Sequence, residues 1–145
     1  MFSIVFFLLS FFNRQLPENW TTNFDKAKVE ASSGNKLILL SFSGSDWCIP
    51  CIKMEETYFE HDSFREFAAD HLILVKADFP RLKKNQLDPK LTRQNEKLAE
   101  KYNAAGVFPL TLILSSEGKI LHKIEGMPKG NVTAFIESLK NIKSL

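Results

Sequence analysis

Cysteine is scarce in this chain. Its 145 residues include two, Cys48 and Cys51, which is too few for a disulfide framework. Their spacing also argues against a structural bridge, because closing a four-residue loop constrains the unfolded chain by only about 2 kcal/mol. A surplus of charge is lacking too: Lys and Arg total 19 against 17 Asp and Glu, and a net charge of +2 gives no reason to expect a nucleic-acid partner. The one local basic run, Arg81, Lys83 and Lys84, reads as a solvated loop. There are three histidines. A closed zinc site needs four ligands, and none of His61, His71 and His122 has ligand spacing to the cysteine pair, so no metal is expected. No apolar run reaches the roughly 20 residues that span a bilayer, and no internal repeat or low-complexity stretch occurs.

What is present fits one domain with a full core. Hydrophobic residues make up 44% and charged ones 25%, and 13 are Phe, so an aromatic-rich core is expected. Met1 to Phe12 is almost continuously apolar, with the length of a signal-peptide h-region. No Lys or Arg precedes it and no small-x-small cleavage site follows it, which keeps an uncleaved anchor or a buried terminal element open. The expected division is an apolar leader over residues 1–14 and a single domain over residues 15–145. Export to the periplasm, or to the periplasmic face of a membrane, is the expected location.

The pattern along the domain alternates helical and extended stretches. Gln15 to Thr22 reads as a connector that docks through Trp20. Asn23 caps a helix from Phe24 to Ser32 that Gly34 ends. Lys36 to Ser43 is an apolar run of the kind covered on both faces of a sheet. Helical spacing resumes from Pro50 to about Tyr58, and a further helix follows His61-Asp62, where Ser63 and Glu66 have capping-box spacing. Leu72 to Asp78 is the next strand. Asp88-Pro89 opens a helix with an N-cap and a proline at its first position; Leu91, Leu98, Ala99 and Tyr102 line its inner face. Leu110 to Leu114 and Lys119 to Ile124, separated by Ser115 to Gly118, form a hairpin. From near Asn131, residues Val132, Phe135, Ile136, Leu139 and Ile142 follow the helical period. This order predicts an α/β fold with a mixed central sheet of about four strands and helices on both faces.

The cysteines fall where the first apolar strand gives way to a helix, in Ser45-Asp46-Trp47-Cys48-Ile49-Pro50-Cys51. A thiol reacts as its thiolate. Cys48 at a helix N-terminus faces unpaired backbone N–H groups and the positive end of the helix dipole, which favour that form. Cys51, one turn further in, is expected to be buried and protonated until used. Such a pair performs disulfide exchange in two steps, attack by Cys48 and resolution by Cys51. Pro50 fixes φ near the helix start. The cysteine pair itself is then the redox group, and no separate cofactor is expected.

Trp47-Cys48-Ile49-Pro50-Cys51 after an apolar strand, together with Gly106-Val107-Phe108-Pro109 before another, resembles the thioredoxin superfamily. Within it the chain is similar, from about Trp20 to Ile142, to exported proteins related to the C-terminal domain of the bacterial transmembrane thiol-disulfide interchange protein. The resemblance implies a thioredoxin-like fold and a protein disulfide oxidoreductase. It also implies a cis Pro109 beside the cysteines, with the Phe108 backbone free to pair with an extended substrate. Disulfide-bearing proteins are the implied substrates, a membrane protein the implied electron donor, and a monomer the expected unit.

The chain departs from the family pattern at three places. Ser41 stands where the family has a buried Asp, allowing one additional residue in the loop, so proton transfer from Cys51 falls to water, Asp46 or Glu55. Ile49 replaces a Gly inside the motif. Leu110 follows the proline in place of Thr, with Thr111 one position on. Plainer readings stand beside the chemical ones. Trp47 shields the dithiol or fills the core, Pro109 lines the groove or merely starts a strand, and Asp46 and Glu55 are proton carriers or solvated charges. Reduction of protein disulfides is the favoured direction; oxidase or isomerase action, a non-catalytic binding module and a thiolate metal chaperone are the rivals.

Overall fold

The strand Leu37–Ser43 (β2) is buried along its whole length, and its alternating side chains feed two separate cores. In a computed structural model of the chain, which describes residues 19–142, β2 sits at the centre of a five-stranded sheet of order β1-β3-β2-β4-β5. The other strands are β1 (Trp20–Thr21), β3 (Leu72–Asp78), β4 (Leu110–Leu114) and β5 (Ile120–Glu125). β1 and β2 both pair parallel to β3, while β4 pairs antiparallel to β2 and to β5. The mixed sheet follows from the connections: helices link the parallel strands, and the Ser115–Gly118 turn closes a hairpin.

Helices cover both faces. On one side α1 (Phe24–Gly34) and α4 (Pro89–Tyr102) pack Phe24, Ala27, Ala31, Leu98 and Tyr102 against Ile38, Leu40 and Phe42. On the other, α2 (Ile49–Met54), α3 (Asp62–His71) and α5 (Val132–Lys140) enclose Leu37, Leu39 and Leu74 with Phe59, Phe64 and Phe135. The three phenylalanines lie ring against ring, with centroids 5.3, 6.4 and 5.7 Å apart, in the range of favourable aromatic pairs. The expected aromatic core is divided between the two faces, with Phe24, Phe42 and Tyr102 buried on the side of α1 and α4.

Local details refine the expected elements. The fifth strand, β1, lies in the stretch read as a connector; Trp20 pairs with Leu74 and sets its ring against Phe59 at 5.1 Å. Asn23 caps α1, accepting from the Lys26 N–H at 3.0 Å. The helix runs through Gly34 and closes on Asn35 at φ 51°, a left-handed conformation that Asn tolerates. The cysteine helix is α-helical only to Met54 and continues as a π turn over Glu55–Phe59. That wider turn brings both Tyr58 and Phe59 into the core. At α3 the cap is His61, whose Nδ1 accepts from the Ser63 N–H at 3.3 Å, so the helix begins one residue before the Ser63–Glu66 box. The apolar leader over residues 1–14 lies outside the described residues.

Candidate active site

Cys48 and Cys51 form a disulfide with Cα atoms 5.2 Å apart, both nearly buried at 5% and 3% exposure. Cys48 is the N-cap of α2, and its sulfur accepts the Cys51 N–H at 3.3 Å. Pro50 lies in the first turn, where a missing N–H costs nothing. Ile49 projects outward at 66% exposure, so the larger residue between the thiols meets solvent rather than the sheet.

The turn before the motif is organised by Gly44. Its carbonyl accepts from the Trp47 and Cys48 N–H groups at 3.2 and 2.8 Å, and its own N–H points at Cys51 Sγ, 3.5 Å away. A side chain at this position has no room, because a Cβ there would lie 2.3 Å from Cε2 of the Trp47 indole. Ser45 extends the brace. Its N–H and hydroxyl donate to the Asp78 carboxylate at 2.9 and 2.5 Å, and the Asn95 amide donates to the Asp78 carbonyl at 3.1 Å. A buried side chain of α4 is thereby linked to the turn that presents Cys48. Gly44, Asp78 and Asn95 are site residues that the sequence reading did not single out; only the abrupt end of the apolar run at Gly44 hinted at one of them.

Trp47 is half-buried. Its Nε1–H donates to the Phe79 carbonyl at 2.7 Å, and its ring meets Phe108 edge-on at 5.5 Å. The Arg81 guanidinium stacks over it, 3.7 Å from the centroid. The Phe108-Pro109 bond is cis, as the resemblance implies, and Pro109 is buried while Phe108 is partly open. Asp46 faces the same loop. Its carboxylate accepts from the Arg81 and Leu82 N–H groups, each at 2.9 Å, and from the Asn85 amide at 3.1 Å. The Arg81 N–H above all, with the Asn85 and Leu82 donors, holds the Asp46 carboxyl below its ordinary pKa of 3.8.

On the other side of Cys51 a groove of about 300 Å³ is lined by Ser43, Ser45, Cys51, Ile52, Glu55, Glu56, Glu60 and Lys76. Glu55 and Lys76 form an ion pair across it, and the Lys76 ammonium also lies 4.5 Å from the Trp20 ring centroid. Strand register explains the polar floor. Ser41 pairs with Lys76 on β3 and with Thr111 on β4, and alternation turns all three toward the face that carries α2. Ser41 and Thr111 are 2% and 1% exposed. The Thr111 hydroxyl has no hydrogen-bond partner among the described residues. Among the described residues no group of three or more His, Cys, Asp or Glu side chains is arranged to hold a metal ion.

A Cys-x-x-Cys disulfide capping a helix on a mixed α/β sheet, with a cis-proline at the start of a neighbouring strand, defines a dithiol–disulfide exchange protein. Comparison with known proteins places it more narrowly. The family model described as thioredoxin-like matches residues 19–116. Disulfide bond reductase DsbH of Chlamydia pneumoniae is 32% identical over 123 residues, covering 85% of this chain and 72% of that one. Thioredoxin-related protein DsbJ of the same organism is 25% identical over 105 residues, which are 72% of this chain and 29% of DsbJ. A solved structure of DsbH oxidoreductase superposes with a TM-score of 0.77 at 32% identity, covering 87% of this chain and 84% of that one. The oxidised C-terminal domain of Neisseria meningitidis DsbD shares the fold, with a TM-score of 0.54 at 18% identity over 82% of this chain and 89% of the domain. The chain belongs to the thioredoxin-like family and is a disulfide oxidoreductase whose redox centre is the Cys48–Cys51 pair.

Proposed function

We infer that the protein reduces disulfides in other proteins, with Cys48 as nucleophile and Cys51 as resolving thiol. The observation that carries this reading is the position of Cys48 Sγ at the head of α2, accepting a backbone N–H, where a thiolate is stabilised once the disulfide opens. In the reduced protein the Cys48 thiolate attacks one sulfur of a substrate disulfide, forming a mixed disulfide and releasing the other sulfur as a thiolate. Cys51, deprotonated, then attacks Cys48 Sγ. The Cys48–substrate bond breaks, the second substrate thiolate leaves, and the Cys48–Cys51 disulfide forms. Two electrons pass from protein to substrate, and a dithiol donor must restore the pair.

Trp47 and Phe108 form one wall of the approach, and the backbone at Phe108 and Pro109 is the proposed docking edge for an extended substrate. Ile49 and Pro50 shape the exposed rim around the disulfide. Asp46 supports the site by fixing the loop over Trp47. The proton from Cys51 goes to Glu55, which lines the same groove and takes the place of the absent acid at Ser41. Lys76 pairs with that carboxylate across the groove and fixes its place beside Cys51.

The reducing direction rests on the relative named a disulfide bond reductase and on Pro50 directly before Cys51. The apolar leader of residues 1–14 supports export, with residues 15–145 working as the periplasmic domain and a membrane dithiol protein as donor. Among the described residues no helix is long and apolar enough to cross a membrane. The deciding experiment is trapping. Cys51→Ser should accumulate covalent complexes with substrate proteins through Cys48, separable on non-reducing gels, whereas accumulation by Cys48→Ser instead would reverse the two roles.

A further inference from the structure

Between Asp78 and Asp88 the chain carries Arg81, Lys83 and Lys84 and no acidic residue. In the structure this segment is exposed over residues 81–86, as a solvated loop should be, and it is also held in place. Asp46 ties it down through Arg81, Leu82 and Asn85, a short 3-10 turn shapes Lys83–Asn85, and the Arg81 guanidinium is stacked on the indole next to Cys48. All three cations are exposed. None has an ion-pair partner among the described residues. Asp46 lowers the local charge by one, but it spends its hydrogen bonds on backbone and amide donors, so the loop keeps a positive balance.

The groove beside Cys51 has the opposite sign. There Glu55 is matched by Lys76, while Glu56 and Glu60, which line the same groove, have no ion-pair partner among the described residues. The surroundings of the disulfide are therefore polarised. A substrate segment crossing the site meets cations at the Trp47 loop and carboxylates in the Cys51 groove.

We propose that the loop Phe79 to Leu87 is a specificity surface that selects protein disulfides flanked by acidic residues. The proposal rests on the oxidoreductase reading above. Because the loop is already fixed by Asp46, an acidic flank gains charge-assisted contacts without first ordering the surface that makes them. Exposed charges of this kind act mainly on encounter and register, and salt screens them.

The test uses reduced protein and two disulfide-bonded peptides that differ only in carrying Glu or Gln beside one cysteine, with neutral bis(2-hydroxyethyl) disulfide as a third substrate. The expected kcat/KM is about tenfold higher for the Glu peptide at low ionic strength, with the ratio falling toward one as salt rises. In Arg81→Ser/Lys83→Ser/Lys84→Ser the ratio should be close to one at every ionic strength. The milder Lys83→Ser/Lys84→Ser, which leaves Arg81 on Trp47, should lose part of it. Reading the ratio cancels any general loss of activity in the variants. Equal rates for the two peptides with wild-type protein, or a preference that survives the triple substitution, would overturn the specificity surface alone. Failure to reduce the neutral disulfide would overturn the oxidoreductase reading, and the proposal with it.

Discussion

Gly44 and Trp47 occupy one space: the volume that a Cβ on Gly44 would fill is taken by the indole, with Cε2 and Cζ2 at 2.3 and 2.5 Å from that point. The close approach lets the turn before Cys48 fold tightly under the tryptophan, and it makes the smallest residue at position 44 a requirement of the site. Gly44→Ala should expel the indole, breaking its hydrogen bond to Phe79 and its stack with Arg81. The expected result is red-shifted, more quenchable tryptophan fluorescence and slower exchange. Unchanged emission would show that the turn can widen without moving Trp47.

Asp46 gives a pH-dependent prediction. Its carboxyl is held below 3.8 in the folded chain, so its contribution is present above the unfolded pKa and is lost as pH falls through the lower folded value. Wild type should melt at higher temperature than Asp46→Ala near neutral pH. That gap should narrow below about pH 4 and close as the folded carboxyl protonates. A gap that persists in acid would mean that the loop is held by contacts other than this carboxylate.

Glu55→Gln removes the proposed proton acceptor while keeping its shape. The slowed step should be release of substrate from the mixed disulfide, by on the order of 10²-fold near neutral pH. Rising pH should shrink the deficit, since solvent then deprotonates Cys51 directly. Rapid-quench trapping of the mixed disulfide measures that step. A wild-type rate of release would move the role to water held near Ser41 and Thr111.

Phe135 is 1% exposed and joins Phe59, Phe64 and Tyr58 in the core beneath the cysteine helix. Phe135→Ala should cost about 3–5 kcal/mol of stability, seen as a lower urea midpoint. The loss should be larger than for a truncation at exposed Val29 (66% exposed), which is expected to stay within about 0.5 kcal/mol.

Much of this architecture follows from local chemistry that a sequence displays. Asn23 and Asp88 cap helices from one position before them, and each does so here through a side-chain oxygen bonded to an N–H three residues on. The apolar run at β2 and the Cys48–Cys51 spacing are equally local, and the dithiol was recognisable without coordinates. What escaped was short or distant. A two-residue strand such as Trp20–Thr21 has no period to detect. The π turn at Glu55–Phe59 inserts its extra residue without a sequence signal. His61 caps α3 ahead of the Ser63–Glu66 pair through a ring nitrogen that accepts from the Ser63 N–H, and histidine is not among the residues that usually mark a helix start. The Asp46 clamp and the Glu55–Lys76 pair each join residues more than twenty positions apart, so sequence reasoning named both carboxylates without supplying their partners. The basic run at Arg81, Lys83 and Lys84 was visible, but its attachment to the active site depended on that same unseen clamp.

The alternation in β2 limits where this chain can change length. Leu39 faces the core beneath the cysteine helix, and Ile38, Leu40 and Phe42 face the other one. One residue added inside the strand would exchange the two sets and turn Ser41 away from the cysteine helix. The turn from Gly44 to Cys48, closed on itself by hydrogen bonds to the Gly44 carbonyl, carries no such parity. An insertion there advances the dithiol without putting the sheet out of phase, and it is in this turn that the match to the thioredoxin pattern requires its additional residue. Length variation among relatives of this protein should collect between strand and motif, leaving the strand itself a fixed ruler.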